Sequence, residues 1–212
     1  MNWLIVTGGA APESALLKEQ AAQADRIIAV DGAADLLVRE RVAPHVLIGD
    51  FDTASKISID MLTAGGAQAV RLPVHKNMTD TEAAMDYALD AGADDITILG
   101  ALGTRADHTL SNIGMLLRAY RRGAACRILD EFNVLEAATG EYTLAGVPGQ
   151  TVSILPLTGD LIVTASGLTY PLEALSLPFG SSRGVSNLMK GTSAHLSISG
   201  GIALIIHIRK NA

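Results

Sequence analysis

The sequence predicts an α/β fold, in which an N-terminal, mainly parallel αβα domain is followed by a C-terminal antiparallel β-sandwich domain. Up to about residue 127, short β-branched runs alternate with longer helical patterns, which is typical of βαβ units and a parallel sheet. Beyond about residue 130 the helical pattern disappears, and short apolar runs are separated by Gly, Pro, Ser and Asp. We therefore expect one domain at residues 1–130 and a second at residues 131–212.

The first domain contains a regular series of predicted elements. Apolar runs predict strands at residues 3–7, 26–30, 45–48, 69–72, 96–99 and 125–129. Helical patterns between them predict helices at residues 13–23, 33–40, 56–64, 80–90 and 109–122. A capping box formed by Thr79 and Glu82 places the start of one of these helices at Asp80.

The second domain is predicted to consist of short antiparallel strands joined by turns. The apolar runs are residues 152–155, 161–164, 196–198 and 202–208. Glycines between these runs, such as Gly159 and Gly200, supply the turn positions that require a positive φ.

Composition and charge exclude several classes of function. With a net charge of −6 and a pI near 5.3, the chain lacks the basic surface expected of a protein that binds nucleic acid or an anionic membrane. The single cysteine, Cys126, excludes an internal disulfide, and no apolar run approaches the roughly 20 residues of a membrane span. The first residues lack the basic segment of a signal peptide. We expect a cytoplasmic protein with neither nucleic acid nor membrane as a partner.

The most informative stretch is Asp50-Phe51-Asp52, which follows the apolar run 46–48 and Gly49. In extended backbone, Asp50 and Asp52 would project to one side while Phe51 turns into the core. Two adjacent carboxylates repel each other unless a cation joins them, and Mg²⁺ prefers oxygen ligands. The pair predicts a Mg²⁺ site, although a solvated turn is the alternative.

Other acids follow further predicted strands. Asp31 follows the run 26–30, Asp80 opens the helix after 69–72, and Asp107 comes after 96–99 and a glycine-containing turn. Because ligands bind beyond the carboxyl ends of parallel strands, these acids can meet in space. Each also has an ordinary explanation, as a turn residue, a first-turn acid or an N-cap. Their recurrence beside Asp50 and Asp52 favours a metal and phosphate site.

The run 100–105 adds a cationic component to this edge. Its glycines let backbone N–H groups approach phosphate oxygens, and Arg105 can bridge two of them. His108 is a candidate to orient Asp107 or to contact phosphate, with a structural role at the helix start as the alternative. The chain lacks both G-x-x-x-x-G-K-[ST] and a G-x-G-x-x-G after its first strand, so this is not one of the common phosphate loops.

Taken in order, these segments resemble the thiamine pyrophosphokinase family. The matching segments are 31–33, 48–53, 79–84 and 103–113, followed in the second domain by 167–172 and 182–187. The resemblance implies a nucleotide-binding αβα domain and a thiamine-binding, dimerising β-sandwich. It further implies transfer of a diphosphoryl group from ATP to the hydroxyl of thiamine, with Mg²⁺ as cofactor, giving thiamine diphosphate and AMP. The expected partners are ATP, thiamine and a second copy of the chain, with the active site at the interface of the homodimer.

The resemblance also assigns roles to particular residues. Asp50, Asp52 and Asp80 are the expected metal ligands and, with Arg105 and Asp107, the catalytic set; Asp80 and Asp107 are equal candidates for the base that accepts the thiamine proton. Residues expected to complete the acidic cluster or hold ATP are Asp31, Gly32, Arg105, Asp107, His108 and Thr109. Residues expected at thiamine are Ser186, Asn187 and Tyr170.

Two positions depart from the family pattern. Asn77 stands where relatives commonly carry aspartate, which is expected to weaken one metal or phosphate contact, and Leu188 stands where a polar residue is usual. Lys76 is a candidate to compensate by contacting phosphate, with a solvated lysine as the alternative.

The sequence is also compatible with three other functions. The acids recognise ATP and not its acceptor, so a pyrophosphokinase acting on another hydroxymethyl heterocycle, such as a pterin, is the nearest alternative. A metal-dependent phosphohydrolase is disfavoured because His45, His75, His195 and His207 are scattered along the sequence. A non-enzymatic nucleotide or thiamine sensor is disfavoured because the acids are intact.

Overall fold

A computed structural model describes residues 1–209, which divide into two units. The first unit is Met1–Glu131, and the second begins at Phe132. None of the helices in the described residues has both the length and the apolar composition required to cross a membrane.

The first unit is built on a parallel sheet whose strands follow the order β6-β5-β1-β2-β3-β4. The strands are β1 (Asn2–Val6), β2 (Arg26–Val30), β3 (Val46–Gly49), β4 (Gln68–Arg71), β5 (Asp95–Leu99) and β6 (Ala125–Leu129). The intervening helices are α1 (Ser14–Gln23), α2 (Ala33–Glu40), α3 (Lys56–Ala64), α4 (Asp80–Asp90) and α5 (Ala106–Arg121). The predicted parallel α/β architecture is confirmed.

Burial along the central strands explains why the sequence forms this sheet. In β1 the four residues from Trp3 to Val6 are all buried, although successive side chains point to opposite faces. The same holds for the last four residues of β5. Strands with two buried faces need continuous apolar runs, and helices must cover both sides of the sheet.

The strand order also creates a binding crevice. From β1 the chain builds the sheet outward in one direction through β2, β3 and β4, and then returns to place β5 and β6 on the other side of β1. The loops that follow β1 and β5 therefore diverge at the carboxyl edge, and open α/β sheets bind ligands at such a point.

Two helix starts bear on this edge. Helix α4 begins at Asp80 as predicted, with the Thr79 hydroxyl accepting a hydrogen bond from the Glu82 N–H at 3.1 Å. Helix α5 begins at Ala106, three residues before the predicted start. Asp107 is therefore a first-turn acid, favoured by the helix dipole, and its interpretation as an N-cap was wrong.

The second unit is antiparallel, as predicted. Its strands are β7 (Asn133–Ala145), β8 (Thr151–Ser166), β9 (Leu172–Leu177), β10 (Asn187–Leu188) and β11 (Ser193–Ile208). Strand β11 pairs with both β7 and β8, and β8 also pairs with β9 and β10. Its core contains Leu144, Ile154, Leu161, Leu196 and Ile205, among others.

Each pair of strands predicted in this unit is one long strand. The runs 152–155 and 161–164 both belong to β8, and 196–198 and 202–208 both belong to β11. Gly159 and Gly200 have φ values of 65° and 82°, and the strand pairing shifts register beside them. These glycines therefore bend continuous strands at bulges, which require the same backbone freedom as turns.

Candidate functional site

A cavity of about 650 Å³ lies at the carboxyl edge of the parallel sheet. It is lined by the loops that follow β1, β2, β3 and β5 and by the N-terminal halves of α4 and α5. Its lining residues include Thr7, Gly9, Asp31, Gly32, Thr53, Asp80, Thr81, Gly103, Arg105, His108, Thr109 and Asn112.

Two glycine loops form one wall of this cavity by packing against each other. The N–H of Gly9 donates to the Gly100 oxygen at 2.8 Å, and the N–H of Ala10 donates to the Leu102 oxygen at 2.7 Å. A Cβ at Gly9 would overlap the Gly100 oxygen, so the contact requires glycine. These N–H groups hold the two loops together and are already occupied.

Three carboxylates converge at the ends of β2 and β3. Asp31, Asp50 and Asp52 each offer one oxygen, and these three oxygens lie within 4.8 Å of one another. Gly49 permits this approach, because a Cβ at that position would lie 3.1 Å from the Asp31 Cβ. The sequence prediction that acids from separate strands meet at one edge holds for these three.

The convergence of Asp50 and Asp52 is produced by a left-handed residue between them. Phe51 has a φ of 62° and is half-buried, and the Asp52 N–H donates to Asp50 Oδ1 at 3.2 Å. The Arg71 guanidinium lies 5.0 Å from the centre of the Phe51 ring and also donates to the Asp50 carbonyl oxygen at 3.0 Å. The expectation of extended backbone was therefore wrong, because a tight turn, held by Arg71, brings the carboxylates together.

The electrostatics of this cluster fit a divalent cation. The Asp50 carboxylate, together with desolvation and Asp31, raises the pKa of Asp52 above its usual value. One oxygen of Asp31 accepts a hydrogen bond from the Thr53 hydroxyl, whereas Asp31 Oδ1 is buried and has no hydrogen-bond partner in residues 1–209. Repelling carboxylates and a buried, unpaired oxygen form the all-oxygen donor set that suits Mg²⁺.

Lys76 links this cluster to Asp80. Its ammonium group lies 3.5 Å from Asp50 Oδ2 and 3.1 Å from Asp80 Oδ1, with its side chain only 13% exposed. Burial opposes its charge, but the hydrogen bond and attraction to Asp80, aided by Asp50, raise the pKa of Lys76. The alternative of a solvated lysine was wrong. Asp80 lines the cavity but is held by Lys76, outside the group of three acids.

Arg105 and Asp107 form a separate, exposed pair. The guanidinium contacts the carboxylate at 2.7 and 3.2 Å, and the two side chains are 69% and 67% exposed. The hydrogen bond from Arg105 lowers the pKa of Asp107 to about 2. Arg105 lines the cavity. Within residues 1–209, Asp107 belongs neither to the cavity lining nor to the cluster of three acids.

The remaining residues predicted at the nucleotide are placed around the same cavity. His108 lines it, and the Thr109 hydroxyl accepts a hydrogen bond from the Gly103 N–H at 3.2 Å, which fixes the loop before α5. At Gly32 a Cβ would lie 2.9 Å from the Thr53 hydroxyl oxygen, so this position needs a residue without a side chain.

Sequence reasoning missed several polar residues of the cavity wall. The hydroxyls of Thr7 and Thr81 lie 2.9 Å apart in a buried contact between β1 and α4. Asn112 is buried, and its amide donates to the Ala101 oxygen at 2.7 Å. A buried amide is unusual on a helix face beside Met115 and Leu116, and this was the available signal for Asn112.

In the second unit, Asn187 joins two segments that the sequence singled out. Its side-chain oxygen accepts hydrogen bonds from the N–H groups of Tyr170 and Leu188 at 3.0 and 2.9 Å, and its amide donates to the Tyr170 oxygen at 2.7 Å. Asn187 is buried, whereas Ser186 and Tyr170 are exposed. Ser186 has a φ of 61°, and its N–H donates to the Ser153 hydroxyl at 3.1 Å. Direct contact of these residues with thiamine stays a prediction.

A second concavity, of about 490 Å³, lies within this unit. It is lined partly by the signature segment that contains Gly167, Leu168, Pro171 and Leu172. Polar side chains from β7, β8, β9 and β11, together with Lys190 from the segment between β10 and β11, complete the lining.

Comparison with known proteins identifies both units. The model for the catalytic domain of thiamin pyrophosphokinase matches residues 17–128. The model for the vitamin B1 binding domain of thiamin pyrophosphokinase matches residues 141–203.

Individual relatives agree with these matches. Thiamine pyrophosphokinase from Bacillus subtilis is 28% identical over 182 residues, covering 84% of this chain and 85% of the relative. Thiamin pyrophosphokinase 1 from Caenorhabditis elegans is 28% identical over 195 residues, covering 85% of this chain and 78% of the relative. The crystal structure of the Bacillus subtilis enzyme superposes with a TM-score of 0.87 at 26% identity, covering 100% of both chains. The chain therefore belongs to the thiamin pyrophosphokinase family.

Proposed function

We propose that this protein transfers the diphosphoryl group of ATP to the hydroxyl of thiamine, giving thiamine diphosphate and AMP. The observation that carries this proposal is the convergence of Asp31, Asp50 and Asp52 beside a cavity of about 650 Å³, in a chain that matches both family domains. None of the relatives described above is named as acting on a pterin, so no observation favours that alternative acceptor.

The acidic cluster would hold Mg²⁺ together with the ATP phosphates. Asp31, Asp50 and Asp52 supply the carboxylate oxygens, and Asp80 is close enough to Lys76 to share in the charge balance. When bound, the cation offsets the negative charge that accumulates on the diphosphate and on the departing AMP. The side chains hold the phosphate end of ATP in one orientation for attack at the β-phosphorus.

We propose that Arg105 and His108, which both line the cavity, contact phosphate oxygens. Of the two base candidates, Asp80 is the better placed, because it lines the cavity. Asp107 is held by Arg105, and a pKa of about 2 makes its carboxylate a weak proton acceptor. We propose that the Asp80 carboxylate is the base that accepts the proton of the thiamine hydroxyl.

The second unit would recognise thiamine. We propose that Ser186 and Tyr170 contact the ligand, because both side chains are exposed. Asn187 would act through them, since it is buried and its side chain holds the two segments together. We further propose a homodimer with the active site at the subunit interface and a cytoplasmic location.

The direct test is a product assay with purified protein, Mg²⁺, ATP and thiamine, resolved by chromatography. The proposal predicts AMP and thiamine diphosphate in equal amounts, and their loss in an Asp52→Asn variant. AMP formed with a hydroxymethyl pterin but not with thiamine would favour the other acceptor. ADP or free phosphate alone would indicate a hydrolase, and binding of thiamine without turnover would indicate a sensor.

A further inference from the structure

A largely buried ammonium group lies between the acidic cluster and Asp80. The Lys76 side chain is 13% exposed, and its two carboxylate partners, Asp50 and Asp80, are 10% and 24% exposed. Burying a lysine in this way is costly unless it is paired. A residue that only linked a surface loop to the sheet would not need this degree of burial.

The ammonium group is held from three directions. It donates to Asp50 Oδ2 and to the Pro73 carbonyl oxygen at 3.5 and 3.3 Å, and it forms an ion pair with Asp80 Oδ1 at 3.1 Å. Three oxygen atoms from separate residues therefore surround the ammonium group. The position of this positive charge is fixed by the segment between β4 and α4 and does not depend on a bound ligand.

Lys76 shares Asp50 with the proposed cation. Asp50 Oδ1 faces the N–H of Asp52, and Asp50 Oδ2 faces Lys76 at 3.5 Å. The same carboxylate belongs to the group of three acids. A divalent cation bound there would feel the repulsion of the nearby ammonium, whereas the ATP phosphates would feel its attraction.

We infer that Lys76 is a built-in counter-charge of this site: it restrains the affinity for a free divalent cation and presents a fixed positive charge to the polyphosphate. Only the claim about the polyphosphate rests on the proposed function. The claim about cation affinity concerns the nucleotide-free protein, in which Lys76 neutralises one of the negative charges of the four nearby acids, Asp31, Asp50, Asp52 and Asp80.

The test is a titration of nucleotide-free protein with Mn²⁺, followed by electron paramagnetic resonance. Lys76→Met keeps the approximate length of the side chain and removes its charge. We expect the Mn²⁺ dissociation constant to fall roughly tenfold or more in this variant, because the positive charge that repels the cation is gone. Turnover of ATP and thiamine should fall in the same variant. Lys76→Arg retains the charge and should bind Mn²⁺ close to the wild-type level.

The opposite signs separate this role from a structural one. Loss of a merely structural ion pair would weaken Mn²⁺ binding and turnover together, so unchanged or weaker Mn²⁺ binding in Lys76→Met would overturn the inference. If Lys76→Met does not fold, Lys76→Gln removes the charge and keeps a polar group beside Asp50 and Asp80. This variant should also bind Mn²⁺ more tightly than wild type, and unchanged or weaker binding would contradict the inference.

Failure of the proposed function is distinguishable from failure of this inference. The Mn²⁺ titration contains neither ATP nor thiamine, and product formation by the wild-type protein does not depend on its result. Suppose that Lys76→Met binds Mn²⁺ more tightly but the wild-type protein makes no thiamine diphosphate. This result would contradict the proposed function and the role of Lys76 toward the polyphosphate, and it would leave the effect of Lys76 on cation affinity standing.

Discussion

Thr53 donates a hydrogen bond from its hydroxyl to one carboxylate oxygen of Asp31, and the other oxygen of Asp31 is buried without a hydrogen-bond partner in residues 1–209. Thr53 thereby orients the Asp31 carboxylate, which is one of the three in the acidic cluster. The contact also joins the loop after β3 to the end of β2.

Replacing Thr53 with valine should impair the site without disturbing the fold. The substitution preserves shape and removes the hydroxyl, and a hydrogen bond to a charged group is worth about 1.5–3 kcal/mol. We expect kcat/KM for ATP to fall about tenfold to a hundredfold. Thr63→Val is the matched control, because that hydroxyl donates to the Ile59 oxygen within α3 and lies away from the acidic cluster. Equal effects of the two variants would show that the Thr53 hydroxyl has no special role.

Asp52→Asn should have opposite effects on activity and on stability. Since neighbouring Asp50 raises the pKa of Asp52, ionised Asp52 destabilises the metal-free protein. We expect turnover to fall by orders of magnitude and the metal-free melting temperature to rise. Asp60→Asn, on the exposed side of α3, is the control and should change neither quantity. Wild-type turnover in Asp50→Asn/Asp52→Asn would falsify the metal assignment.

The stability of the protein should decline as pH falls below about 6.5. Desolvation lowers the folded-state pKa of His45 and of His207 below 6.5, so the unfolded chain takes up protons first. The stability that comes from these two neutral histidines is fully present above pH 6.5. It is lost as the pH falls from 6.5 towards their folded-state pKa values. Protonation of His45 also removes an acceptor, since its Nδ1 accepts from the Ile27 N–H at 3.0 Å. Denaturant unfolding measures the free energy of unfolding at pH 7.5 and at pH 5.5. The decrease between the two pH values should be smaller in His45→Gln/His207→Gln than in wild type.

Asn187→Ala should destabilise the second unit, because it leaves the buried partners of the amide unsatisfied. Each lost bond of this kind costs about 1–3 kcal/mol. Ser186→Ala removes only an exposed hydroxyl and should leave the melting temperature unchanged while raising KM for thiamine. Thermal unfolding combined with thiamine kinetics separates the two roles. An Asn187→Ala variant as stable as wild type would contradict the structural role.

The active protein should be a dimer. Light scattering during size-exclusion chromatography should give a mass twice the 22.0 kDa of the chain. A monomer with full activity would exclude a site shared between subunits.

The parallel sheet could be predicted from the sequence because its strands have a distinctive pattern. Runs such as Trp3–Val6 and Ile27–Val30 are apolar at every position, which is expected of strands covered on both faces. The position of Asp31, Asp50 and Asp52 after such strands correctly predicted that they meet. The same rule also included Asp80 and Asp107, which lie outside the cluster because Lys76 and Arg105 hold them.

Other features depend on contacts that the sequence does not encode locally. The left-handed conformation of Phe51 is stabilised by Arg71, which is 20 positions away in another strand. The burial of Lys76 depends on how the segment between β4 and α4 folds back onto Asp50. Gly159 and Gly200 suit a turn and a bulge equally well, so the long bent strands could not be distinguished from pairs of short ones.

The most direct test of the acidic site is an anomalous difference map from crystals grown with Mn²⁺ and a non-hydrolysable ATP analogue. We expect a peak within ligand distance, about 2.0–2.3 Å, of carboxylate oxygens from Asp31, Asp50 and Asp52. We also expect the polyphosphate of the analogue to bind the same ion, with Lys76 close to a phosphate oxygen. A nucleotide bound in the cavity with no ion at these carboxylates would contradict the assignment of the metal site.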